Sequence, residues 1–449
     1  MKSVIVLLLF ILSQVFSQTI DTWERRYGTD GNEGAKQIIN MPDGNYLINA
    51  SKILDAYGFN NMIWLIAIDE NGDSLWTKTI GDSVLNHYIN DLAFNPSGDL
   101  FTATGIDQGG LGQTAYLSKR TVTYDEIWTK TYTNMPSLGI GTSSILCTPD
   151  SGCAVIVRKL EGFDASYSWI DKYNKYGDLE FTSSSIFTKE KYYYEAMHDM
   201  ILTEEGDYLV AMSRAGLDIP ESQHIVKFDD SLMVKGGIEF GDSMDESGIE
   251  AGFNGSFIVY SSNKIMKIDQ DLNIIWEKDL EGYSKCVVKS ADGNYFISSS
   301  SNTYKVNDDG NIIWTKDFGC TSLVPTDDGG CLAVGKKFND VWICKFDQDG
   351  NYTDINYSYP INSFELHQNY PNPFNPETKI KYSLSSNSDI KLIVYDNTGK
   401  EVIKLVSCKQ RRGNYEVNFQ PENLPSGTYT YRLSIDNNLV ASKRMIYLK

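Results

Sequence analysis

The sequence predicts an all-β protein, with a seven-bladed β-propeller over residues 18–356 and a small Ig-like β-sandwich over residues 364–449. Three observations predict this fold. A glycine-containing turn recurs seven times, each turn is followed by a second turn and another strand, and the pattern changes after Asn356. The chain has 449 residues, 41% of them hydrophobic, which is enough to fill more than one core.

The first turn of each repeat places a glycine between two β-rich runs, as in Pro42 to Asn45 ahead of Tyr46. Glycine adopts positive φ without a Cβ clash, so Asp-Gly and Asn-Gly pairs favour hairpins. The turn glycines are 54, 54, 54, 49, 38 and 36 residues apart, at Gly44, Gly98, Gly152, Gly206, Gly255, Gly293 and Gly329. Such spacing indicates a repeat architecture.

The second turn is acidic and leads into a strand with a large residue, as in Asp69 to Asp73 ahead of Trp76. The equivalent positions in the next five repeats hold Trp128, Phe181, Val234, Trp276 and Trp314. Each repeat therefore has about four strands, which is the pattern of a propeller blade. We interpret the tryptophans as packing residues that cover the wedge between neighbouring blades.

The ends of the repeat predict a closed ring. The seventh repeat lacks its tryptophan strand after Gly350, whereas residues 21–29, which include Trp23, supply such a strand ahead of the first repeat. Pairing of the two ends would complete the last blade and leave no open edge. A solenoid or an array of β-sandwiches is the alternative architecture for the same period.

The tail follows a linker over residues 357–363 and begins with a proline-rich segment, Asn369 to Pro376. Proline removes a backbone donor, so this segment is not a central strand. Five alternating runs follow and predict strands of a small antiparallel sandwich, at Ile380 to Leu384, Ile390 to Tyr395, Tyr415 to Phe419, Thr428 to Ser434 and Ser442 to Leu448.

The tail resembles the type A C-terminal sorting domain, or Por secretion tail, of the type IX secretion system of Bacteroidetes and related bacteria. The residues that carry the resemblance are Asn369, Tyr370, Pro371, Asn372, Pro373, Phe374, Gly399, Gly427 and Lys449. The resemblance implies recognition by the type IX translocon and removal of the tail by a sortase-like peptidase. The tail departs from the family pattern at Ser407 to Arg412, a segment that is longer and more basic. The loop that the family has there is therefore not assigned to this chain.

Residues 1–17 predict a signal peptide. Lys2 precedes an apolar run from Val4 to Leu12, and Ser17 and Gln18 flank the expected cleavage site. The run is shorter than the roughly 20 residues of a membrane-spanning helix. We therefore expect no transmembrane segment in the mature protein, which passes through the periplasm to the extracellular space or the outer-membrane surface.

The charge distribution argues against nucleic-acid binding. The net charge is −19, and residues 363–449 contain 12 Lys and Arg against 8 Asp and Glu. The region between signal and tail contains 27 basic and 51 acidic residues. Such a surface repels phosphate backbones and anionic lipids.

Seven cysteines leave at least one thiol unpaired in an exported protein. Cys147 and Cys153 flank a short turn and are candidates for a disulfide across a hairpin. Cys286, Cys331 and Cys344 lie among apolar strand residues, where buried free thiols are expected.

No catalytic residue, metal ligand or cofactor is predicted from the motifs. The sequence has no paired zinc ligands, no phosphate-binding loop and no nucleophile elbow. The turns at Asp69 and Asp347 place oxygen ligands at alternate positions, as calcium loops do, but both lack the glutamate at the twelfth position. Hairpin turns use Asp, Asn and Gly in any case, so calcium is disfavoured.

The predicted binding site lies where the innermost strands converge on a central channel. Residues about eight positions before the turn glycines enter this channel, namely Lys36, Asn90, Asp91, Ser144, His198, Asp199, Glu246 and Lys285. The tyrosine-rich segment from Lys189 to Glu195 is a candidate surface for stacking on sugars or peptides. The alternative interpretation of the channel is a solvated funnel without a ligand.

We expect a non-catalytic binding or adhesion module for an extracellular protein, peptide or glycan. The alternative is a secreted polysaccharide- or peptide-acting enzyme with its site in the channel. An enzyme would need a close acid/base pair with a raised pKa there.

Overall fold

The computed structural model describes residues 22–28, 32–53, 61–82, 85–107, 113–133, 139–161, 165–183, 193–216, 220–241, 243–352, 365–384, 388–397, 399–410, 413–421, 424–435 and 438–449. These residues form an all-β protein built of mainly antiparallel sheets. The expected signal cleavage site at Ser17 and Gln18 lies outside the described residues.

The first region contains seven units of strands, preceded by β1 (Trp23–Tyr27). Unit 1 contains β2 (Asn32–Asn40), β3 (Tyr46–Ile53), β4 (Asn61–Ile68) and β5 (Ser74–Ile80), and unit 2 contains β6 (Asn86–Phe94), β7 (Leu100–Asp107), β8 (Gln113–Arg120) and β9 (Glu126–Tyr132). Unit 3 contains β10 (Gly139–Cys147), β11 (Cys153–Glu161), β12 (Ala165–Tyr173) and β13 (Leu179–Thr182), and unit 4 contains β14 (Tyr193–Leu202), β15 (Tyr208–Gly216), β16 (Ser222–Phe228) and β17 (Val234–Gly241). Units 5 to 7 contain β18 (Ser247–Ala251), β19 (Phe257–Ser261), β20 (Lys264–Ile268) and β21 (Ile274–Asp279); β22 (Ser284–Lys289), β23 (Tyr295–Ser299), β24 (Thr303–Val306) and β25 (Ile312–Lys316); and β26 (Ser322–Pro325), β27 (Cys331–Lys337) and β28 (Asp340–Phe346).

Each unit is an antiparallel meander of neighbouring strands, and β1 pairs antiparallel with β28 in the sheet of unit 7. Units 3 and 4 are joined into one larger sheet by a parallel bridge between Ser166 and Tyr194. The first strands of successive units contact one another, from β2 through β6, β10, β14, β18 and β22 to β26, and β26 contacts β2. The contacts therefore run in a cycle.

The turn glycines explain why the strands reverse where they do. Gly44 has φ +85 and its N–H donates to the carbonyl of Met41 at 3.1 Å, while Met41 N–H donates to Asn45 at 2.8 Å. Gly98, Gly206, Gly293 and Gly329 repeat this geometry with φ between +84 and +88. A residue without a Cβ adopts this backbone at low cost, so the periodic glycines fix the hairpins.

Buried aliphatic residues pack between neighbouring units. Leu47 and Leu65 of unit 1 share a cluster with Leu92 and Leu100 of unit 2. Unit 7 meets unit 1 in a similar cluster that includes Val334, Ile48 and Trp23. The hydrophobic core is thus divided among the interfaces between units, and burial of this apolar area is the main stabilising contribution.

The tryptophans of the outer strands cover the acidic turn of the next unit, as the sequence predicts. Trp276 Nε1 donates to the carbonyl of Asp308 at 2.9 Å, and Trp314 Nε1 donates to Gln348 at 3.0 Å. A Cβ at Gly310 would lie 2.7 Å from the Trp276 ring, so glycine is required beneath the indole.

The same contact joins the first strand to unit 1. A Cβ at Gly72 would lie 2.5 Å from the Trp23 ring, and the Tyr27 hydroxyl donates to the carbonyl of Gly72. Units 4 and 5 hold Leu232 and Leu272 at this turn position, and the outer strands of units 3 and 4 carry the smaller Phe181 and Val234. At these two contacts a turn leucine follows a smaller outer-strand residue, but the relation is not general, because Tyr124 in the turn of unit 2 packs with Trp76 of unit 1.

The tail consists of two antiparallel sheets around one core. The strands are β29 (Glu365–Leu366), β30 (Thr378–Leu384), β31 (Ser388–Tyr395), β32 (Glu401–Gln410), β33 (Gly413–Phe419), β34 (Gly427–Ile435) and β35 (Asn438–Tyr447). The sheet orders are β29-β30-β33 and β32-β31-β34-β35. Ile380, Leu392, Phe419 and Tyr431 from the two sheets meet in the core. The basic stretch that starts at Ser407 continues strand β32 up to Gln410 and is not a loop over those residues, because it pairs with β31.

Candidate functional site

Most of the predicted binding residues sit at a β-bulge in the first strand of their unit. The register shifts in β2, β6, β10, β14 and β22. The residues left without a partner in the ladder are Lys36, Asn90, Ser143, Ser144, His198 and Lys285. A bulge turns its side chain out of the regular alternation, which explains why these polar residues face the neighbouring first strands.

Three of the bulged side chains donate hydrogen bonds to backbone carbonyls of the next unit, and the residue before β26 does the same toward unit 1. The distances are 3.3 Å from Lys36 Nζ to Ile89 O, 2.5 Å from Asn90 Nδ2 to Thr142 O, 3.1 Å from Ser143 Oγ to Met197 O and 3.0 Å from Thr321 Oγ1 to Ala35 O. These side chains therefore hold neighbouring units together.

Asp91 links three units. Its Oδ2 accepts from Ile145 N–H at 2.7 Å, and its Oδ1 accepts from Leu92 N–H at 2.8 Å and Gln37 Nε2 at 2.6 Å. Burial raises the pKa of Asp91 to about 6, although these hydrogen bonds act in the opposite direction. A buried carboxyl with three donors is a structural acceptor.

Asp199 makes the equivalent contacts two units later. Its Oδ2 accepts from Ile249 N–H at 3.1 Å, and its Oδ1 accepts from Met200 N–H at 2.9 Å and Ser144 Oγ at 3.1 Å. Burial raises the pKa of Asp199 as well. Ser144, a predicted binding residue, is thereby also directed at the neighbouring unit.

Asp91 and Asp199 share one place in the repeat, seven residues before the turn glycine, which we name the staple position. Its members are Gln37, Asp91, Ile145, Asp199, Gly248, Cys286 and Ser322. In unit 7 the Ser322 hydroxyl accepts from Ile38 N–H of unit 1 at 3.3 Å. The polar members of this column connect one unit to the next.

Four charged or titratable groups from different units converge beside the staple position, and we name them the inner charge cluster: Lys36, Arg158, His198 and Glu246. Burial lowers the pKa of Lys36 and of Arg158, and the charge of Glu246 acts against both shifts. Burial, with the nearby Arg158 charge, lowers the pKa of His198 to about 4. His198 is therefore neutral at pH 7 and its Nε2 lies 2.8 Å from Ser213 Oγ.

Glu250, on strand β18, is a third carboxyl of this region with a raised pKa. Burial and the nearby Asp199 raise its pKa to about 7, and its Oε1 accepts from Ala251 N–H at 3.0 Å. Tyr260, packed over Gly248, also interacts with Asp199 and Glu250. Glu250 therefore holds a proton near neutral pH, as an acid/base group would.

Arg158, Glu250 and the staple role of Gln37 were not predicted from the sequence. The 54-residue spacing from Gln37 to Asp91, and twice that spacing from Asp91 to Asp199, was a visible signal for the column. Arg158 gave no signal, because it lies on a second strand and reaches the cluster only through the packing of units. Lys285 and Glu246 are exposed. Residues 189–192 of the tyrosine-rich segment lie outside the described residues, whereas Tyr193 to Glu195 belong to strand β14.

The disulfide between Cys147 and Cys153 stays a prediction. The two residues are directly opposed in the ladder of β10 and β11, but both thiols are free. Cys147 Sγ is directed at the carbonyl of Ala93 in unit 2, 3.7 Å away, while Cys153 is fully buried in the core.

The two turns weighed as calcium loops use their carboxylates within the turn. Asp69 Oδ1 accepts from the N–H groups of Asn71 and Asp73, both at 2.9 Å, and Asp347 Oδ1 accepts from Asp349 and Asn351. Within the described ranges no three His, Cys, Asp or Glu side chains are grouped to hold a metal ion.

The sorting-motif residues form a compact element against the last strand. Asn369 is buried, and its Nδ2 donates to Thr378 Oγ1 at 3.0 Å and to Pro371 O at 3.1 Å. Phe374 is buried and exchanges backbone hydrogen bonds with Ile446 and Leu448. Asn372 Oδ1 also accepts from Ile446 N–H at 2.8 Å, so the proline-rich segment is fixed along β35.

The remaining motif residues have separate environments. Tyr370 is 81% exposed, Gly399 has φ +83 in the hairpin after Asp396, and Lys449 N–H donates to Ser426 Oγ at 2.8 Å. Gly427 begins strand β34. The motif therefore combines buried structural residues with an exposed aromatic ring.

Comparison with protein families identifies the tail. Residues 368–447 match the family model of the secretion system C-terminal sorting domain, known as the Por secretion tail. The resemblance inferred from the motif is thus confirmed, and the chain is exported to the cell surface or the extracellular space by the type IX secretion system. No helix among the described residues is long and apolar enough to cross a membrane.

Solved structures similar to this chain include a protein of unknown function from Dyadobacter fermentans, with a TM-score of 0.48 and 10% identity over 72% of this chain and 97% of that chain. Another is an α-L-arabinanase from Penicillium chrysogenum complexed with arabinobiose, with a TM-score of 0.43 and 10% identity over 73% and 98% of the two chains. A search of curated proteins finds no significant match.

Proposed function

We propose that this chain is an exported, non-catalytic binding or adhesion module whose ligand is an extracellular protein, peptide or glycan. The ligand would bind at the inner charge cluster, on the face that carries the longer connections of units 1 to 4. The observation that carries the proposal is that Asp91 and Asp199 are each occupied by three hydrogen-bond donors. Carboxyl groups held in this way are poor general bases, because their lone pairs already serve the fold.

The fold that supports this proposal is a closed seven-bladed propeller in which β1 completes the last blade, followed by an Ig-like sandwich. The cyclic contacts of the first strands and the hydrogen bond from Thr321 to Ala35 support closure. A ring of this kind brings groups from several blades to one axis, which suits recognition of a polar ligand. In this proposal the fold needs no metal or cofactor, and the exposed acidic surface disfavours nucleic acids.

Array binding with matched variants tests the proposal. Mature protein is applied to glycan, peptide and extracellular-protein arrays, and each hit is repeated with Glu246→Gln and with Glu204→Gln. Both glutamates are exposed, but Glu204 lies in the turn between the first two strands of unit 4, away from the cluster. Loss of binding with Glu246→Gln alone supports the site, whereas the absence of any hit on all arrays contradicts the function.

A secreted polysaccharide- or peptide-acting enzyme is the second candidate. The raised pKa of Glu250, about 7, is the observation that favours it, because a general acid must keep its proton at the working pH. Incubation with polysaccharide and peptide libraries would then give products that disappear with Glu250→Gln. Products that persist in this variant, or no products at all, would remove this candidate.

A further inference from the structure

Units 6 and 7 are joined at the staple position by cysteines. Cys286 of β22 occupies the place that Asp91 and Asp199 hold in units 2 and 4, and its sulfur accepts a hydrogen bond from Leu323 N–H of unit 7. The residue before it, Lys285, is bulged as in the other units. The contact from one unit to the next is therefore retained, with a thiol in place of a carboxylate.

A second cysteine, Cys320, lies against this thiol. Ser298 is directly opposite Cys286 in the ladder of β22 and β23. The Ser298 hydroxyl donates to Cys320 O at 2.8 Å and accepts from Cys320 N–H at 3.0 Å, and Cys320 Sγ lies 3.0 Å from Ser298 Oγ. The side chains of Cys286 and Cys320 interact directly across the boundary between the two units.

Polar groups of unit 6 surround Cys320. Its thiol donates to Ser298 Oγ at 3.0 Å, while the hydroxyl protons of Ser298 and Thr303 are donated to the carbonyls of Cys320 and Phe318. Thiolates are the nucleophiles of disulfide exchange, and a solvent-exposed Cys320 can form one before the units dock. Cys331 and Cys344 are also buried in the same core cluster, but burial holds their pKa values well above the ordinary value.

We propose that Cys286 and Cys320 become an intramolecular disulfide that covalently joins units 6 and 7 in the exported protein. The inference draws on export to an oxidising compartment, where disulfides persist, and does not depend on the proposed ligand. The oxidant is an external disulfide, of a thiol-oxidising protein or a small molecule.

Thiol–disulfide exchange with the external disulfide proceeds in two steps. The Cys320 thiolate attacks the external disulfide and forms a mixed disulfide, and one thiolate leaves with a proton from solution. The Cys286 thiolate then attacks the Cys320 sulfur and releases the second external thiol. The protein loses two protons and two electrons, and the external disulfide gains them as a dithiol. Because Cys320 is only 4% exposed, the reaction belongs to a stage before unit 7 has docked on unit 6.

Peptide mapping tests the proposal on the full mature chain secreted into an oxidising compartment. Free thiols are alkylated under denaturing conditions, and a non-reducing digest is analysed by mass spectrometry. We expect one cross-linked peptide pair that contains Cys286 and Cys320, lighter by two hydrogen atoms than the sum of its parts, with alkylated Cys331 and Cys344. Recovery of Cys286 and Cys320 as alkylated thiols, even after incubation with oxidised glutathione, overturns the proposal. Pairing of either with another cysteine overturns it as well.

Thermal unfolding gives a second readout. A disulfide that closes the loop from Cys286 to Cys320 should raise the melting temperature by about 5 °C. Reduction should remove this increment from the wild type and from the matched control Cys331→Ser, but not from Cys286→Ser or Cys320→Ser. The mapping of the wild type keeps the proposal testable if a serine variant fails to fold, and equal sensitivity of all four proteins to reduction contradicts it.

Discussion

Units 1 to 4 and units 5 to 7 are built on the same four-strand plan but differ in the length of their strands and connections. The turn glycines are 54 residues apart in the first group and 38 or 36 apart in the last. First strands have 9 or 10 residues in units 1 to 4, but 4 to 6 in units 5 to 7. Units 1, 2, 4, 6 and 7 share one geometry at the glycine turn, so the additional residues of the long units lie mainly at the opposite face.

The connections between second and third strands show where this length is placed. In unit 1 the chain runs from Ile53 to Asn61 between the two strands, whereas in unit 5 it runs from Ser261 to Lys264. The short units show how little chain the fold requires. The longer units therefore carry residues that the fold does not need, and Arg158 of the inner charge cluster is among them.

The largest expected effect is at the glycine beneath an indole, which both groups share. We expect Gly72→Ala in unit 1 and Gly310→Ala in unit 6 each to lower the free energy of unfolding by about 3 kcal/mol, since φ is positive and a Cβ would meet Trp23 or Trp276. Chemical denaturation measures this loss.

The matched control is Gly44→Ala, at φ +85 with nothing within 4 Å of a Cβ, for which we expect about 1 kcal/mol from backbone strain alone. If Gly72→Ala costs no more than this control, the packing of Trp23 does not contribute to stability. If Gly310→Ala alone is costly, the two groups do not share one plan.

The staple position should matter more in the long units. We expect Asp91→Ala to lower the free energy of unfolding by about 3 kcal/mol, because it leaves Ile145 N–H and Gln37 without their acceptor. Ser322→Ala removes one neutral hydrogen bond at 3.3 Å and should cost about 1 kcal/mol. If Asp91→Ala and Ser322→Ala lower the free energy of unfolding in denaturant by the same amount, neither the charge at the staple position nor the number of its donors affects stability.

Glu250 lies at the boundary between the groups and should make stability depend on pH. Its pKa is about 7 in the folded protein and lower when unfolded, so the folded state binds the proton more tightly. The stability it contributes is present below pH 4.5 and is lost as pH rises toward 7, by up to about 1.4 kcal/mol per pH unit.

His198 acts with the opposite sign, because its folded pKa of about 4 lies below the unfolded value and its contribution to stability is lost as pH falls from 6.5 to 4.

Because the glutamine variant cannot lose a proton at position 250, we expect Glu250→Gln to become more stable relative to the wild type as pH rises from 4.5 to 7. Melting curves of both proteins across this range measure the difference, and parallel curves contradict the assignment.

The smallest effect concerns calcium at the acidic turns. Asp69 in unit 1 and Asp347 in unit 7 use their carboxylates for turn N–H groups in the same way. We expect a chelator to leave the melting temperature within about 1 °C and added calcium to do the same, since each turn is complete without a metal. A larger shift of the melting temperature that is absent from the Asp347→Asn variant would show that calcium binds at the acidic turn of unit 7.

Local features of the structure could be predicted from the sequence because they depend on neighbouring residues. The hairpin at Gly44 follows from backbone sterics, and the proline-rich segment after Asn369 identifies the tail. The pairing of β32 was missed, because its basic residues resemble a loop until the partner strand is known. The contact of the Cys147 thiol with a neighbouring unit was missed for a related reason, because Ala93 is distant in the chain.

The candidate site could be located from the sequence but not interpreted. Counting back from the turn glycines finds the bulged residues, and Asp91 and Asp199 lie on the first strands of their units. Their use as acceptors for the next unit depends on atoms of residues about 50 positions away. No local pattern encodes such a contact.

The sequence by itself determined that the chain is a β repeat with a sorting tail, because turns, alternation and motif residues are properties of short segments. Only the tertiary structure decided which polar groups hold the units together, and that Cys286 meets Cys320. The physical reason is burial. Whether a carboxyl keeps its proton, or a thiol finds a partner, depends on what the neighbouring unit packs against it, and that neighbour is distant in the chain.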